Sequence, residues 1–176
     1  MTAGIFTKIP SGAKAPANLD RSVAGLKSRP IKTGPKAYLS RRYRLSASHR
    51  LHSDAFSEEK NWAVFGKCNN PHGHGHNYVV EVTLGGRVSP TTGMVCDLDE
   101  LDRFAQTNLL ARFDHMNLNT LPEFRDAVST TENFTIEVYR IFERFAGAKV
   151  ERVRVEETSN NSFEYAGGRT GEVERL

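Results

Sequence analysis

A chain of 176 residues, 38% of them hydrophobic and 26% charged, has the size and composition of one soluble domain and can bury roughly two-thirds of the surface it exposes when unfolded. Wholesale disorder is excluded, and no run reaches the roughly 20 consecutive apolar residues of a membrane-spanning helix. The N-terminus lacks the apolar block of a secretory signal, and the two cysteines, Cys68 and Cys96, are too few for a disulfide scaffold, so a cytoplasmic protein with free thiols is expected.

Charge divides the chain. Residues 1–36 carry seven Lys or Arg against the single acid Asp20, whereas the remainder holds 17 basic and 20 acidic residues. The leader also contains four of the seven prolines and no apolar period, so it reads as a flexible basic extension ahead of one folded domain, residues 37–176. A basic tail can touch an anionic surface, but a solubilising leader is the simpler reading, and nucleic acid is not the expected partner.

From Tyr38 the residues alternate, with Tyr43, Leu45, Ala47, His49 and Leu51 on one parity and Arg42, Arg44, Ser46, Ser48 and Arg50 on the other, the pattern of a strand with one dry face. Residues 74–84 repeat it, setting His74, His76, Tyr78, Val80, Val82 and Leu84 on one side. Gly85 and Gly86 weaken that strand, and turn residues from Ser89 to Gly93 precede a helix over 99–111. Ser129-Thr130-Thr131-Glu132 is a capping-box pattern, followed at helical spacing by Phe134, Val138, Ile141 and Phe145, with Gly147 as the stop. Strands over 150–157 and 162–166 close the chain around the polar run Thr158-Ser159-Asn160-Asn161. The order β-β-α-α-β-β predicts an α+β fold, an antiparallel sheet with two helices on one face.

Five of the six histidines lie between His49 and His76. His74-Gly-His76 sets two imidazoles on one side of a strand about 7 Å apart, a gap that two side chains close onto one metal ion. His49, on the dry parity of the preceding strand, supplies a third. Three neutral imidazoles leave a tetrahedral Zn2+ one open position, as in catalytic sites. A single histidine would more often be a hydrogen-bonded core or surface residue; the triplet reverses that balance. His72-Gly-His74 has the same spacing, and periodicity does not choose between the two pairs. Cys68, beside Lys67 and ahead of the cluster, sits where a thiol pKa falls, whereas Cys96 in its apolar stretch reads as a small buried hydrophobe. Asp114-His115 can orient a proton shuttle or be an exposed loop pair. Glu157 shares parity with Val153 and Val155 and therefore needs a partner: a ligand edge with two N–H donors, or an internal Arg. Glu132 is accounted for as the capping-box acid.

Six blocks in order, LSASHRL (45–51), FGKCNNPHGHGHNYVVEVTL (65–84), TGMVCDLDEL (92–101), FDHMNL (113–118), STTEN (129–133) and VEETSNN (155–161), resemble the 6-pyruvoyltetrahydropterin synthase family, which includes its relative 6-carboxytetrahydropterin synthase. The resemblance implies a tunnelling fold (T-fold) that closes into a barrel, with trimers pairing into a homohexamer and active sites between subunits. It implies Zn2+ held by His49, His74 and His76; Cys68, Asp114 and His115 as the catalytic group; and Glu157 as the pterin anchor, with Thr130 and Thr131 also on the substrate side. The implied substrate is 7,8-dihydroneopterin triphosphate, with Lys67 and Arg50 as candidates for holding its triphosphate.

In the pyruvoyl-forming branch five residues separate Cys from His-Gly-His, as from Cys68 to His74; in the carboxy-forming branch the gap is three, which Cys68 to His72 also satisfies. Asn77-Tyr78 and STTEN favour the pyruvoyl branch. The alternative product is 6-carboxytetrahydropterin, with release of acetaldehyde, as in the queuosine (deazapurine) route. A zinc-stabilised binding module with a basic tail is the non-enzymatic alternative, distinguished by metal binding without turnover.

Overall fold

A computed structural model describes residues 34–168. The leader proposed for residues 1–36 therefore lies almost wholly outside the described residues. Strand β1 (Lys36–His49) is followed by helix α1 (Glu58–Phe65), a tight turn at Gly66–Asn69 and strand β2 (His74–Arg87). Next come α2 (Leu98–Ala105), a wide helical turn at Gln106–Leu110, the single turn α3 (Ala111–Phe113), the short strand β3 (Met116–Asn117), α4 (Thr131–Phe142), β4 (Lys149–Glu156) and β5 (Ser162–Tyr165). The five strands lie in the order β3-β1-β2-β4-β5. The expected α+β sheet is present, with two corrections. An extra helix stands between the first two strands, and β3 runs parallel to Ala47–Ser48 of an otherwise antiparallel sheet.

The dry parity is the core. Tyr43, Leu45, Ala47, Tyr78, Val80, Val82, Leu84, Val153 and Val155 are buried against Leu101, Leu109, Phe113, Phe134, Val138 and Ile141, each large side chain contributing about 1.5–3 kcal/mol by leaving water. On the opposite face ion pairs such as Arg42–Glu81 (2.6 Å) and Arg152–Glu164 (3.6 Å) stand in solvent. Strand β2 does not stop at its glycines but runs on to Arg87, opposite Lys36.

The helix predicted over 99–111 is the chain from Leu98 to Phe113, capped by Asp97, whose Oδ1 accepts from the amides of Asp99 (2.8 Å) and Glu100 (3.1 Å). Leu101, Ala105, Leu109 and Phe113 are all fully buried although they recur every four residues. On an ideal α-helix each such step drifts about 40°, which would carry Phe113 off the core face. The wide π-type turn at Gln106–Leu110 takes up that drift, and so delivers Asp114 and His115 to the edge of β1.

At α4 the cap is shifted by one residue from the predicted box. Thr130 is the N-cap and accepts from the Asn133 amide (3.3 Å); Ser129 is fully buried with its groups taken by β1. Glu132 is exposed and has no capping role. The helix also ends earlier than Gly147, at Phe142. No helix among the described residues is long and apolar enough to cross a membrane.

Helix α1 is held by one polar side chain. Buried Asn61 accepts from the Ser53 amide (2.8 Å) and donates to the carbonyls of Ser53 (2.9 Å), Phe56 (3.2 Å) and Ser57 (3.2 Å). Asn61→Ala would leave several of these groups unpaired, and urea unfolding is expected to show a loss of about 2–4 kcal/mol. A loss under about 0.5 kcal/mol would contradict that role.

Candidate metal centre and flanking residues

The β1–β2 register sets His49 opposite His74 and Ala47 opposite His76. Directly paired residues share a face of a sheet, and so do residues two apart, so all three imidazoles turn to the dry side. Their ring centroids are 4.6, 4.9 and 5.1 Å apart. His49, 1% exposed, has its Nδ1 2.7 Å from the Ser129 carbonyl oxygen. Because a carbonyl only accepts, Nδ1 carries the proton and Nε2 keeps its lone pair.

These residues fit a divalent ion. One ligand atom from each of His49, His74 and His76 lies within 4.8 Å of the others. The Nε2 atoms of His49 and His74 are 3.1 Å apart, close to the spacing of about 3.3 Å between two nitrogens bound at tetrahedral Zn2+. Among the described residues His76 Nε2 and His74 Nδ1 are buried without a hydrogen-bond partner. Burial is the main cause that lowers the pKa of His49, reinforced by the neighbouring imidazoles and opposed by its bond to Ser129. Burial, then His76, lowers that of His74. Both effects favour the neutral rings that a metal requires. His72 is exposed and stands outside the cluster.

Glu157, just beyond β4, lies beside the triad. Its Oε1 is 3.5 Å from His76 Nε2 and 3.7 Å from His49 Nε2. The partner required by its buried position is not an arginine. Thr131 Oγ1 donates to Oε1 (2.6 Å) and Asn161 Nδ2 to Oε2 (2.9 Å). Tyr78 fills the floor, fully buried, its ring 5.5 Å from His76 and 6.4 Å from His49.

Asp114 and His115 clip onto the edge of β1 at Ser46. Asp114 Oδ1 accepts from the Ser46 amide (2.8 Å), and the His115 amide donates to the Ser46 carbonyl (2.6 Å). The Ser46 N–H is the main cause that holds the Asp114 pKa down, with His115 adding to it. His115 Nδ1 is 3.0 Å from Asp114 Oδ1, and its side chain is 82% exposed. Its backbone is left-handed (φ 60°), a strained conformation for a residue with a Cβ. His115 and His76 line one shallow hollow of about 320 Å3.

Cys68 is half-buried in the turn Gly66–Asn69, its carbonyl accepting from the Leu51 amide (2.9 Å); it is not part of the metal-binding group. Lys67 beside it is exposed. Arg50 lines a cavity of about 690 Å3 with His49, His52, His72 and Arg125, and its Nε donates to the Asn69 carbonyl (3.0 Å). Cys96 is buried, and that burial pushes its thiol pKa up. Sequence reasoning missed the Ser129 carbonyl and Asn161. The first is a backbone group without a side-chain signature. The second stood in the polar run after β4, where only its distance to Glu157 distinguishes it.

Two outcomes follow from this geometry. Replacing any one of His49, His74 or His76 by Ala is expected to weaken Zn2+ binding at least about 100-fold in competition with a chelating dye, since removing even an outer partner costs about 10–100-fold; unchanged affinity in any of the three would contradict the shared site. In metal-free protein the lowered His49 and His74 pKa values mean that the unfolded chain, titrating near 6.5, takes up protons first as pH falls. Native stability is therefore expected to decline as pH falls through about 6.5 and below, seen as a lower urea midpoint, and His49→Gln should flatten the decline.

The sequence profile described as 6-pyruvoyl tetrahydropterin synthase matches residues 38–168. The chain is 45% identical over 134 residues to the human 6-pyruvoyl tetrahydrobiopterin synthase, covering 75% of this chain and 92% of that one. It is 44% identical over 137 residues to the Drosophila melanogaster protein of the same name, covering 76% and 81%. The solved structure of the Caenorhabditis elegans 6-pyruvoyl tetrahydropterin synthase superposes with a TM-score of 0.74 at 40% identity, over 77% of this chain and 99% of that one. The fold is the T-fold, and the chain belongs to the 6-pyruvoyl tetrahydropterin synthase family.

Proposed function

We propose that this chain converts 7,8-dihydroneopterin triphosphate to 6-pyruvoyltetrahydropterin, eliminating triphosphate, at a Zn2+ ion held by His49, His74 and His76. The observation that carries the proposal is the three-imidazole cluster, with His49 buried and its tautomer fixed by Ser129 and His74 and His76 half-buried. Bound there, the metal supplies Lewis acidity to the hydroxyl oxygens of the substrate side chain. Cys68, as thiolate, takes the proton from the carbinol carbon next to the ring, whose electron pair passes into the ring C=N bond, so that the ring gains two hydrogens while that carbinol becomes a ketone. Loss of the next carbon-bound proton then expels triphosphate by C–O cleavage, without attack on phosphorus, and the enol left behind becomes the second ketone. His115, oriented by Asp114, returns and relays protons during the rearrangement. Glu157, steadied by Thr131 and Asn161, offers its carboxylate to the N–H edge of the pterin, with Thr130 at the same helix start. Arg50 and Lys67 are the proposed cations for the triphosphate.

Two features of the chain support the assembly and the product. Among the described residues strand β1 pairs with β2 alone from Lys36 to Leu45, since Ser46 is held by Asp114 and His115 and β3 reaches only Ala47 and Ser48; an open edge of that length needs covering, and burying it between subunits suits a homohexamer in which exposed His115 meets a neighbouring copy's site. The five-residue gap from Cys68 to His74 is the one that leads into the cluster, because His72 lies outside it, which favours the pyruvoyl product over the carboxy product.

Mass spectrometry of products from 7,8-dihydroneopterin triphosphate tests the proposal. The expected product is 6-pyruvoyltetrahydropterin, lost on chelation and regained with Zn2+; 6-carboxytetrahydropterin with acetaldehyde would replace this reading, and metal binding without turnover would leave a binding module. Cys68→Ala is expected to lower kcat by about 10²–10⁴-fold with metal content unchanged.

A further inference from the structure

Three successive residues after the metal-binding His49 hold the turn that carries Cys68. Arg50 Nε donates to the Asn69 carbonyl (3.0 Å), the Leu51 amide donates to the Cys68 carbonyl (2.9 Å), and His52 Nδ1 lies 2.9 Å from Asn69 Oδ1. An amide oxygen only accepts, so the His52 ring N–H is the donor. Asn69 is itself buried, which makes its side-chain oxygen costly to leave unpaired. The segment is anchored on its other flank as well. Asn119 accepts from the Arg50 amide (2.6 Å) and donates to the Arg50 carbonyl (2.8 Å), while Ser129 Oγ donates to that same carbonyl (3.2 Å). Residues 50–52 therefore form a short strut between the imidazole cluster and the thiol turn.

We infer that His52 is a positioning residue that fixes the Cys68 turn relative to the metal centre, an inference that rests on reading Cys68 as the thiolate base. Of the three contacts, that of Leu51 is main-chain, and Arg50 is also a candidate for the triphosphate. His52 acts through its ring: Nδ1 holds Asn69, and Nε2 lies 3.6 Å from the exposed Asp54. Losing the Nδ1–H bond leaves Asn69 at the C-terminal end of the turn Gly66–Asn69 held from this strut by Arg50 alone, and a shift of about 1 Å in a reacting group costs up to about 10²-fold in rate.

The test compares His52→Ala, His52→Gln and His52→Asn in the full-length, zinc-loaded chain. Asn sets an amide N–H where Nδ1 stands, whereas Gln carries it a bond too far. Ala and Gln are expected to lower kcat roughly tenfold, with KM within about twofold and zinc content unchanged. They should also change the rate at which iodoacetamide alkylates Cys68, read by site-resolved mass spectrometry, by at least about threefold; Asn should restore both. Values of kcat within about twofold of the unsubstituted chain in Ala and Gln, or Asn as impaired as Ala, would overturn the inference. If Cys68→Ala retained activity, the thiolate reading would fall on its own, and the alkylation rate would then decide about His52: unchanged in His52→Ala, it refutes the strut.

Discussion

The pairing register of β1 with β2 is the constraint on which the remaining structure depends. Fourteen consecutive pairs, from Lys36 with Arg87 to His49 with His74, carry the dry parity of one strand onto that of the other, and the last pair consists of two histidines. A slip of one residue would turn every side chain of one strand to the opposite face. It would expose Val80, Val82 and Leu84 and separate the imidazoles in the same step. The packing that stabilises the fold and the geometry that gathers the metal-binding atoms are thus set by one choice of register.

The site grows outward from that pair by degrees of burial. His49 is enclosed and oriented by Ser129 at the start of α4; Glu157 is held by Thr131 of the same helix start and by Asn161 of the loop before β5. Desolvation lowers the pKa of His49 and His74, and the Glu157 carboxylate keeps its place through donors. Farther out, Asp114 and His115 are clipped to the backbone of Ser46, with the Asp114 amide also on the Leu110 carbonyl, and the His115 ring stands in solvent. Two ring nitrogens of the imidazole cluster, His74 Nδ1 and His76 Nε2, thus stay buried without a hydrogen-bond partner among the described residues, while the Asp114–His115 pair lies open to solvent.

Much of this was legible in the sequence because strand periodicity is strict. The parity of His49, His74 and His76, the buried run of α4 and the dry faces of three strands all follow from alternation by two or by 3.6. Helix α1 was not legible. Apart from Asn61 its residues are not buried, with Trp62 and Val64 exposed, so no apolar stripe marked it, although Ser57 with Glu58 and Glu59 was a start signal. The capping box misread its register because the choice between Ser129 and Thr130 was made by a tertiary contact, the His49 ring on the Ser129 carbonyl. Likewise, the ambiguity between the pairs His72–His74 and His74–His76 ended only with Gly73, at φ 68° and with no room for a Cβ beside the His49 carbonyl, which turns the chain between His72 and His74. Glu157 was correctly expected to need a partner, but Thr131 and Asn161 come from separate elements that no local pattern joins.

In the proposed site three imidazoles and no sulfur bind one Zn2+ ion, leaving Cys68 free as a base. Zinc K-edge X-ray absorption on the loaded protein tests it directly. The account predicts a first coordination sphere of nitrogen and oxygen scatterers at about 2.0–2.2 Å with three imidazole signatures, collapsing when His74 is replaced. A sulfur scatterer at about 2.3 Å would make Cys68 a ligand and contradict it.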